Sequence, residues 1–521
     1  MTPAMLVSKL RSAGVLSGEM FSDSRMCTPG AVFLAFPGQS DDGRLHLADA
    51  VSRGAVAVVW EEEGFLWPGH LRHVCNFSVR GLREMAGLVA DEFYGYPSRT
   101  MWVCGATGTN GKTTTTQWLA AALDAASVRT MVVGTLGAGF HGQLAPTTHT
   151  TPDALELQRL LARHKKLGAR AACLEVSSHA LTQARISGVH FDCALFTNLT
   201  HDHLDYHGTM QAYGEAKAKL FHVAGLGAGV VNLDDQLGQQ IAEDLRSRDI
   251  RCIGYSISPT FKRDSLTKEF IWAQRIAASR TGLRAEISAS GGQGVLELNH
   301  PGTFNLSNAL AVLGGLLAYG VDFANSLTLM KDLPAVPGRM QRIAESNEPL
   351  VVVDYAHTPD ALTKVIQALR PVVQMRGGSL WTVFGAGGDR DPSKRPLMGA
   401  IADKLSDRVV VTSDNPRTEK PLDIIGQVLG GIDDTAQVHS EPDREKAIEW
   451  AIRRSSPDDV VLIAGKGHET FQETEGMRKH FSDVMVARGV LERMNGSSKD
   501  RGEGIGAIRV SDPRYSGGRA P

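Results

Sequence analysis

The stretch Val103–Thr116, VCGATGTNGKTTTT, decides how the rest of the chain is read. An apolar run, taken as a strand over Met101–Cys104, enters a glycine-rich turn. A run with Trp118, Leu119 and Leu123 on helical spacing leaves it. In a strand–turn–helix of this kind, backbone N–H groups and a helix N-terminus can surround phosphate oxygens. The usual pattern is G-x-x-x-x-G-K-[ST]. Counting back from Gly111 and Lys112 puts Ala106 where the first glycine should stand; the glycines are Gly105, Gly108 and Gly111 instead. The flanks and the G-K-T-T run predict a nucleotide site. Lys112 should lie against the β/γ-phosphates and the Thr113 hydroxyl on Mg²⁺.

Working outward, AACLEV (171–176), CALFTNL (193–199) and GVVNLD (229–234) are continuous apolar runs of strand length, which suit a parallel sheet covered on both faces. Leu306, Leu310, Leu313 and Leu317 mark one face of a helix, and LPAVPGR (333–339) reads as a linker. Beyond it one theme repeats. PLVVVDYAHTPD, LWTVFGAGGDRD, DRVVVTSDNPR and DVVLIAGKGHE are each a buried strand running into a polar or glycine-rich loop. Ligands of open α/β sheets bind beyond such strand ends. Thr358 and Pro359 predict a helix start. Before residue 100, GAVFLAF and GAVAVVW alternate with turn-rich stretches, as in a small α/β domain.

The expected fold is therefore α/β in three domains. These are a small N-terminal α/β domain (1–100), a central P-loop ATPase-like parallel sheet (101–337) and a C-terminal Rossmann-like domain (338–495). A flexible tail (496–521) follows, being rich in glycine and poor in core residues.

Composition narrows the class. Of 521 residues, 42% are hydrophobic and 21% charged, enough for a core in each domain. The net charge of −2 argues against a dedicated nucleic-acid binder. No apolar run approaches the roughly 20 residues of a membrane span, and MTPAMLVSKLRSAGVL lacks a signal-peptide core. The six cysteines are scattered without a C-x-x-C pair and read as buried free thiols, which points to the cytoplasm. A regulatory GTPase should carry N-K-x-D, and none is present.

Glu175 in LEVSSHALTQARI, and His201, Asp202, His203 and His207 in TNLTHDHLDYHG, fall at neighbouring strand ends. A carboxylate and an imidazole there can meet over a phosphate loop. H-x-H invites a zinc reading, but no cysteine or fourth ligand has metal spacing. Lys217 in YGEAKAKLF reads by pattern as a solvated helix lysine, and D-N-P (414–416) as a turn.

The G-T-N-G-K-T-T form of the loop resembles the Mur ligase family, whose members add amino acids to the peptide of the bacterial cell-wall precursor. The resemblance extends over nearly the whole chain short of the tail. It is closest to the members that add the third residue to UDP-N-acetylmuramoyl-L-alanyl-D-glutamate. It implies an ATP-dependent amide ligase, acting as a cytoplasmic monomer through an acyl phosphate, with ATP and Mg²⁺ required. Under it, Gly108, Thr109, Asn110, Gly111, Lys112, Thr113, Thr114, Asn305, Asn308, Arg339 and Asp354 contact ATP. An arginine at a linker, as Arg339 is, would reach the γ-phosphate only when domains close. Glu175 and His203 hold a second Mg²⁺, and Lys217 is a carbamylated lysine, an anionic oxygen ligand suited to that ion.

Ser24, Thr150, Thr151, Ser177, Gln183 and Arg185 fall on the UDP–sugar–dipeptide substrate, with Arg25, Asp42 and Gly43 near the UDP. Arg390, Asp414, Asn415, Pro416, Arg417, Gly465 and Glu469 form an amino-acid pocket. The family's D-N-P-R form goes with meso-diaminopimelate; lysine-adding relatives depart from that arginine. Arg417 can bind a distal carboxylate bidentately, and lysine has none. A buried arginine left unpaired would cost about 3–5 kcal/mol. A lysine-adding ligase and a folylpolyglutamate-synthase-like ligase are the alternatives.

Overall fold

In the computed structural model, residues 1–499 are described apart from 16, 39–40, 262–266, 280–281 and 344–347. Every apolar run singled out above becomes a strand, because each is long enough to pair on both sides and apolar enough to be covered on both faces. The N-terminal sheet is wholly parallel in the order β1 (Met20–Phe21), β2 (Ala31–Ala35), β3 (Ala55–Glu61), β4 (Cys75–Val79). The GAVAVVW run supplies β3, buried at every position but Val56.

The second sheet has 11 strands: β5 (Trp102–Thr107), β6 (Thr130–Gly134), β7 (Gly137–Phe140), β8 (Gln143–Ala145), β9 (Ala171–Glu175), β10 (Cys193–Phe196), β11 (Ala228–Asn232), β12 (Arg251–Ser256), β13 (Glu269–Ala278), β14 (Leu283–Ala289) and β15 (Gly292–Leu298). Their order is β15-β14-β13-β12-β11-β10-β5-β9-β6-β7-β8. From β13 to β6 the strands are parallel, as expected. The sheet is mixed rather than wholly parallel, because antiparallel strands extend both margins. These edge strands follow short turns, which permit only antiparallel return.

The helix Thr303–Tyr319 is buried on nearly all sides rather than along one leucine face: Ala309, Ala311, Val312 and Leu316 are as covered as Leu306, Leu310 and Leu313. Cys193, Cys104 and Cys173 stand abreast on β10, β5 and β9. All six cysteines are free; five are buried, and Cys75, on the last strand of its sheet, is only half-buried.

The third sheet contains β16 (Gln341–Ile343), β17 (Leu350–Asp354), β18 (Leu380–Phe384), β19 (Arg408–Val411), β20 (His439–Ser440) and β21 (Val460–Ala464), in the order β16-β17-β21-β18-β19-β20. The hairpin β22 (Phe471–Thr474) and β23 (Met477–His480) stands apart from it. A helix begins at Pro359, as the Thr–Pro pair predicts. The last helix, Asp483–Lys499, crosses the expected tail boundary, and 500–521 lie outside the described residues.

The chain divides into two compact units, Met1–Gln341 with Asp360–Met375, and Arg342–Pro359 with Arg376 onward. The first joins two sheets through a shared core: Leu155, from the helix Ala154–Lys166, clusters with Leu82, Val89 and Ala90 beside the N-terminal sheet. Among the described residues no helix is long and apolar enough to cross a membrane.

Candidate active site

The phosphate-loop strand runs to Thr107, three residues beyond the expected Cys104, because β10 and β9 pair with it on both sides as far as Thr107 and Ala106. This accounts for the irregular glycine spacing. Gly105 and Ala106 belong to the strand, and Gly105 is a packing glycine, where a Cβ would come within 2.7 Å of Phe191. The turn itself is Gly108–Gly111. Gly108 and Gly111 have φ of 147° and 88°, and side chains there would collide with Thr197 Oγ1 and Asn308 Oδ1.

Two residues at the end of β10 hold this turn. Thr109 N donates to Asn198 O at 2.8 Å, Asn110 N to Asn198 Oδ1 at 3.0 Å, and Thr197 Oγ1 to Asn110 O at 2.6 Å. The helix Lys112–Ala125 starts immediately after, with Thr113 and Thr114 buried in its first turn. Lys112 Nζ curls back to donate to Gly108 O and Thr109 O, each at 2.9 Å. Loss of hydration pulls its pKa down, while Glu175 and Asp202 oppose that.

Strand register sets Ala106 beside Glu175. Glu175 is fully buried, and its carboxylate accepts from Thr113 Oγ1 at 2.9 Å, Thr135 N at 2.9 Å and Thr135 Oγ1 at 3.1 Å. Arg339 Nη2 reaches Thr113 Oγ1 at 3.4 Å. That contact lies wholly within the first unit. The linker carrying it is tethered from behind. Trp118 Nε1 donates to Pro334 O at 2.9 Å, and His300 Nε2 bonds Leu333 O at 3.0 Å. Asn305 and Asn308 are both buried; Asn305 Nδ2 donates to Pro301 O at 2.8 Å, and Asn308 lies against Gly111.

Lys217 is 1% exposed, which overturns the solvated-lysine reading; Lys219, two residues on, is exposed. Its Nζ stands 4.2 Å from the Tyr213 ring centroid. Burial, and secondly the Lys112 charge, hold the Lys217 pKa well below the usual lysine range. The histidines group nearby. His179 lies 4.9 Å from His203 and 5.5 Å from His207, ring centre to ring centre, and His203 lies 6.0 Å from Tyr213. Burial lowers the pKa of all three imidazoles. The His203 side chain keeps 47% of its surface exposed. Oxygen donors on Thr113 and Glu175 suit a hard cation such as Mg²⁺. Among the described residues, no three His, Cys, Asp or Glu side chains gather around a metal-sized space.

Five of the residues expected at the precursor are linked to one another and to Glu175. Thr151 Oγ1 donates to Glu175 O at 2.7 Å and Ser177 N to Thr151 Oγ1 at 3.1 Å. Arg185 donates to Thr151 O at 2.8 Å and to Gln183 Oε1 at 2.7 Å. Thr150 and Thr135 share a hydroxyl contact at 3.2 Å. Ser24 is not in this network; it sits buried in a short turn after β1 and bonds Asp49. Arg25 and Asp42 pair locally with Asp23 and Arg44.

In the second unit, register aligns Phe384 with both Val411 and Ala464, and Asp354 with Ala464. Four polar loops therefore leave the sheet at one edge. Asp354 Oδ1 accepts from Ala356 N at 2.8 Å. Arg417 has φ 53° and is pinned by the hairpin: its N donates to Glu473 O at 3.0 Å and its O accepts from Glu475 N at 2.6 Å. One guanidinium N–H goes to Gly388 O at 2.7 Å. Arg390 is exposed, and Gly387 lies between the two arginines. Asp414, Asn415 and Pro416 are buried. Asp414 Oδ2 is buried without a hydrogen-bond partner and faces Gly465, where a Cβ would lie 2.6 Å away. Asn415 Nδ2 donates to Glu469 Oε2 at 2.8 Å.

Residues 106–316 match the Mur ligase middle domain, and residues 338–467 match the Mur ligase glutamate ligase domain. The UDP-N-acetylmuramoyl-L-alanyl-D-glutamate--2,6-diaminopimelate ligase of Ectopseudomonas mendocina is 48% identical over 92% of this chain and 96% of its own. That of Pseudomonas aeruginosa is 46% identical over 92% and 95%. The chain belongs to the Mur ligase family. A solved structure of a ligase of the same name is 35% identical, with TM-score 0.66 over 92% of this chain and 95% of that one. The MurF ligase of Thermotoga maritima in complex with ADP, 19% identical with TM-score 0.62 over 94% and 99%, shares the fold.

In this Mur ligase, pattern reading passes over several residues that shape the loops. Asn198 and Lys466 lie inside stretches already quoted, TNLTHDHLDYHG and GKGHE, but carry no signal beyond their neighbours. Arg395 is 1% exposed and grips Glu419 through two hydrogen bonds of 2.7 Å; these hold the Glu419 carboxyl down to about 2. Arg444 and Asp483 pair at 2.7 Å with no exposed side-chain surface. Both pairings join residues far apart in sequence, where spacing rules are silent.

Proposed function

We propose that this protein is an ATP-dependent amide ligase that adds meso-diaminopimelate to UDP-N-acetylmuramoyl-L-alanyl-D-glutamate in peptidoglycan precursor synthesis. The observation that carries this reading is identity of 42–48% to curated ligases of that specificity over more than nine-tenths of the chain. The D-N-P-R loop beside Gly465–Glu469 supports the choice of amino acid.

A carboxylate is a poor electrophile at neutral pH. In the proposed reaction the glutamyl carboxylate oxygen attacks the γ-phosphorus of ATP and ADP departs. The diaminopimelate amine then attacks the acyl carbon of the acyl phosphate, the C–O bond to phosphate breaks, and the amine proton is lost to solvent. Lys112, with the loop N–H groups, Arg339, Asn305, Asn308 and Asp354, binds and orients the triphosphate. Thr113, Glu175, His203 and a carbamylated Lys217 are the residues to hold Mg²⁺, which when bound neutralises phosphate charge. Burial of the Lys217 amine, which disfavours its protonated form, is the condition under which CO₂ capture is favoured. The network of Thr150, Thr151, Ser177, Gln183 and Arg185 faces the sugar–dipeptide, and Ser24 serves the UDP. Arg390, Asp414, Asn415, Pro416, Arg417, Gly465 and Glu469 receive diaminopimelate.

On this assignment 1–100 binds the precursor, 101–337 binds ATP and 338–495 binds the amino acid. The enzyme works as a cytoplasmic monomer, with neither nucleic acid nor membrane as partner. The test supplies ATP, Mg²⁺ and the UDP-muramyl dipeptide with diaminopimelate, lysine or ornithine, and identifies products by mass. A diaminopimelate adduct formed with ADP release is expected, and Lys112→Ala should form none. Failure of wild-type protein to join any of the three rejects the reading; a lysine adduct alone rejects the assigned specificity.

A further inference from the structure

Lys466 follows Gly465 directly at the carboxyl end of β21. A loop lysine is ordinarily a solvated charge; this one has no exposed surface. Burying an ammonium costs several kcal/mol unless its hydrogen bonds are replaced. Two are replaced here: Nζ donates to Asn415 Oδ1 and to Glu469 Oε2, each at 2.9 Å. The charge also stands 5.6 Å from the Phe471 ring centroid. Asn415 Nδ2 donates to the same Glu469 oxygen at 2.8 Å, so the three side chains close a ring across two adjacent loops.

The ring fixes what the other two members present. An asparagine amide is nearly symmetric in shape, and its partners decide which end is oxygen. Asn415 Oδ1 faces two donors, Lys466 Nζ and Glu473 N at 3.0 Å, so the oxygen must point to them and the nitrogen to Glu469. One Nδ2–H remains. Glu469 Oε2 is occupied by two donors, and among the described residues Oε1 accepts no hydrogen bond. The outcome is one free donor on Asn415 beside one free acceptor on Glu469. That pair complements the carboxylate and ammonium of an amino acid. Without the ammonium, Asn415 Oδ1 keeps only Glu473 N and Glu469 Oε2 keeps only Asn415 Nδ2, so the amide and the carboxylate lose the link that fixes one against the other.

We propose that Lys466 is a positioning residue for the amino-acid site, locking the Asn415 amide and the Glu469 carboxylate in the one arrangement that accepts an amino-acid head group. This rests on the assignment of Asn415 and Glu469 to the diamino acid. Lys466 itself does not touch substrate.

The test compares wild type, Lys466→Met, Asn415→Ala and the double variant in steady-state assays with the full substrate set. Lys466→Met is expected to raise the diaminopimelate KM at least about tenfold, leave kcat at saturation within about threefold, and leave the KM values for ATP and the precursor unchanged. In the Asn415→Ala background the same substitution should add less than about twofold, because its target is gone. A general loss of structure would instead move all three KM values and add fully in both backgrounds. An unmoved diaminopimelate KM, or full additivity, overturns the inference. If the methionine variant does not fold, Lys466→Arg is read by the same criterion, since a guanidinium cannot reproduce the geometry of both bonds. Wild type that releases no ADP with diaminopimelate overturns the ligase reading, and this inference with it; normal wild-type turnover with an unmoved KM in the variant overturns this inference alone.

Discussion

Arg417 shows how much one residue can decide. Its backbone is locked by the hairpin and one N–H is spent on Gly388, which leaves the rest of the fork for a ligand carboxylate. Arg417→Ala should cut the preference for diaminopimelate over lysine by tenfold or more, measured as the ratio of kcat/KM values; an unchanged ratio would remove Arg417 from the pocket. The role proposed for Arg417 is legible in the sequence only through the resemblance, since D-N-P-R alone reads as a turn. Lys217 was less legible still. Helical spacing says nothing of what packs over a lysine, and only the fold reveals that Lys217 is buried against Tyr213. The phosphate loop stands at the other extreme, because its glycines are demanded by backbone geometry that the sequence states directly.

Elements inherit constraints from their neighbours. Gly111 ends the turn with positive φ and abuts Asn308 on another helix. Gly111→Ala pays about 1–2 kcal/mol for the left-handed backbone and forces Asn308 aside. The expected result is a rise in the ATP KM of tenfold or more with little change in the diaminopimelate KM. The helix Leu82–Phe93 carries a different burden. Asp91 is buried, and desolvation lifts its pKa to about 6. Its Oδ1 and Gln158 Oε1 are both buried acceptors without partners, and both side chains flank Gly188. Unfolded, Asp91 titrates near 3.8. Between about 4 and 6 the native state therefore holds the extra proton, and stability falls as pH rises through that window. Asp91→Asn should flatten this slope and raise the unfolding temperature at pH 7.5, by scanning calorimetry at several pH values; an unchanged slope would rule Asp91 out. The apolar runs named in the sequence all form strands, but composition sets the phosphate-loop strand three residues short, because the extension depends on partners on both sides.

Across the whole molecule, the 4-, 11- and 6-stranded sheets fall one in each of the three regions read from the sequence, yet the first two belong to one compact unit. The shared core around Leu155 explains why, and no local pattern announces such a contact. The antiparallel margins of the second sheet are illegible for the same reason: strands such as LRAEISA and GQGVLEL mix polar and apolar residues and carry no motif. Arg444 and Asp483, 39 residues apart and fully buried, tie the last helix into the second unit. Arg444→Met strands a buried carboxylate and should cost about 3–5 kcal/mol, while Arg444→Met with Asp483→Leu should recover most of it. Urea denaturation measures both, and equal losses would show that the charge pairing is not the source.

The row of Cys193, Cys104 and Cys173 gives the protein a built-in clock. Burial holds the Cys104 and Cys173 thiols far from ionisation, and an alkylating reagent can meet them only when the strands part. Labelling of these three should proceed together, at the pace of global opening, while Cys75 reacts early at the margin of its own sheet.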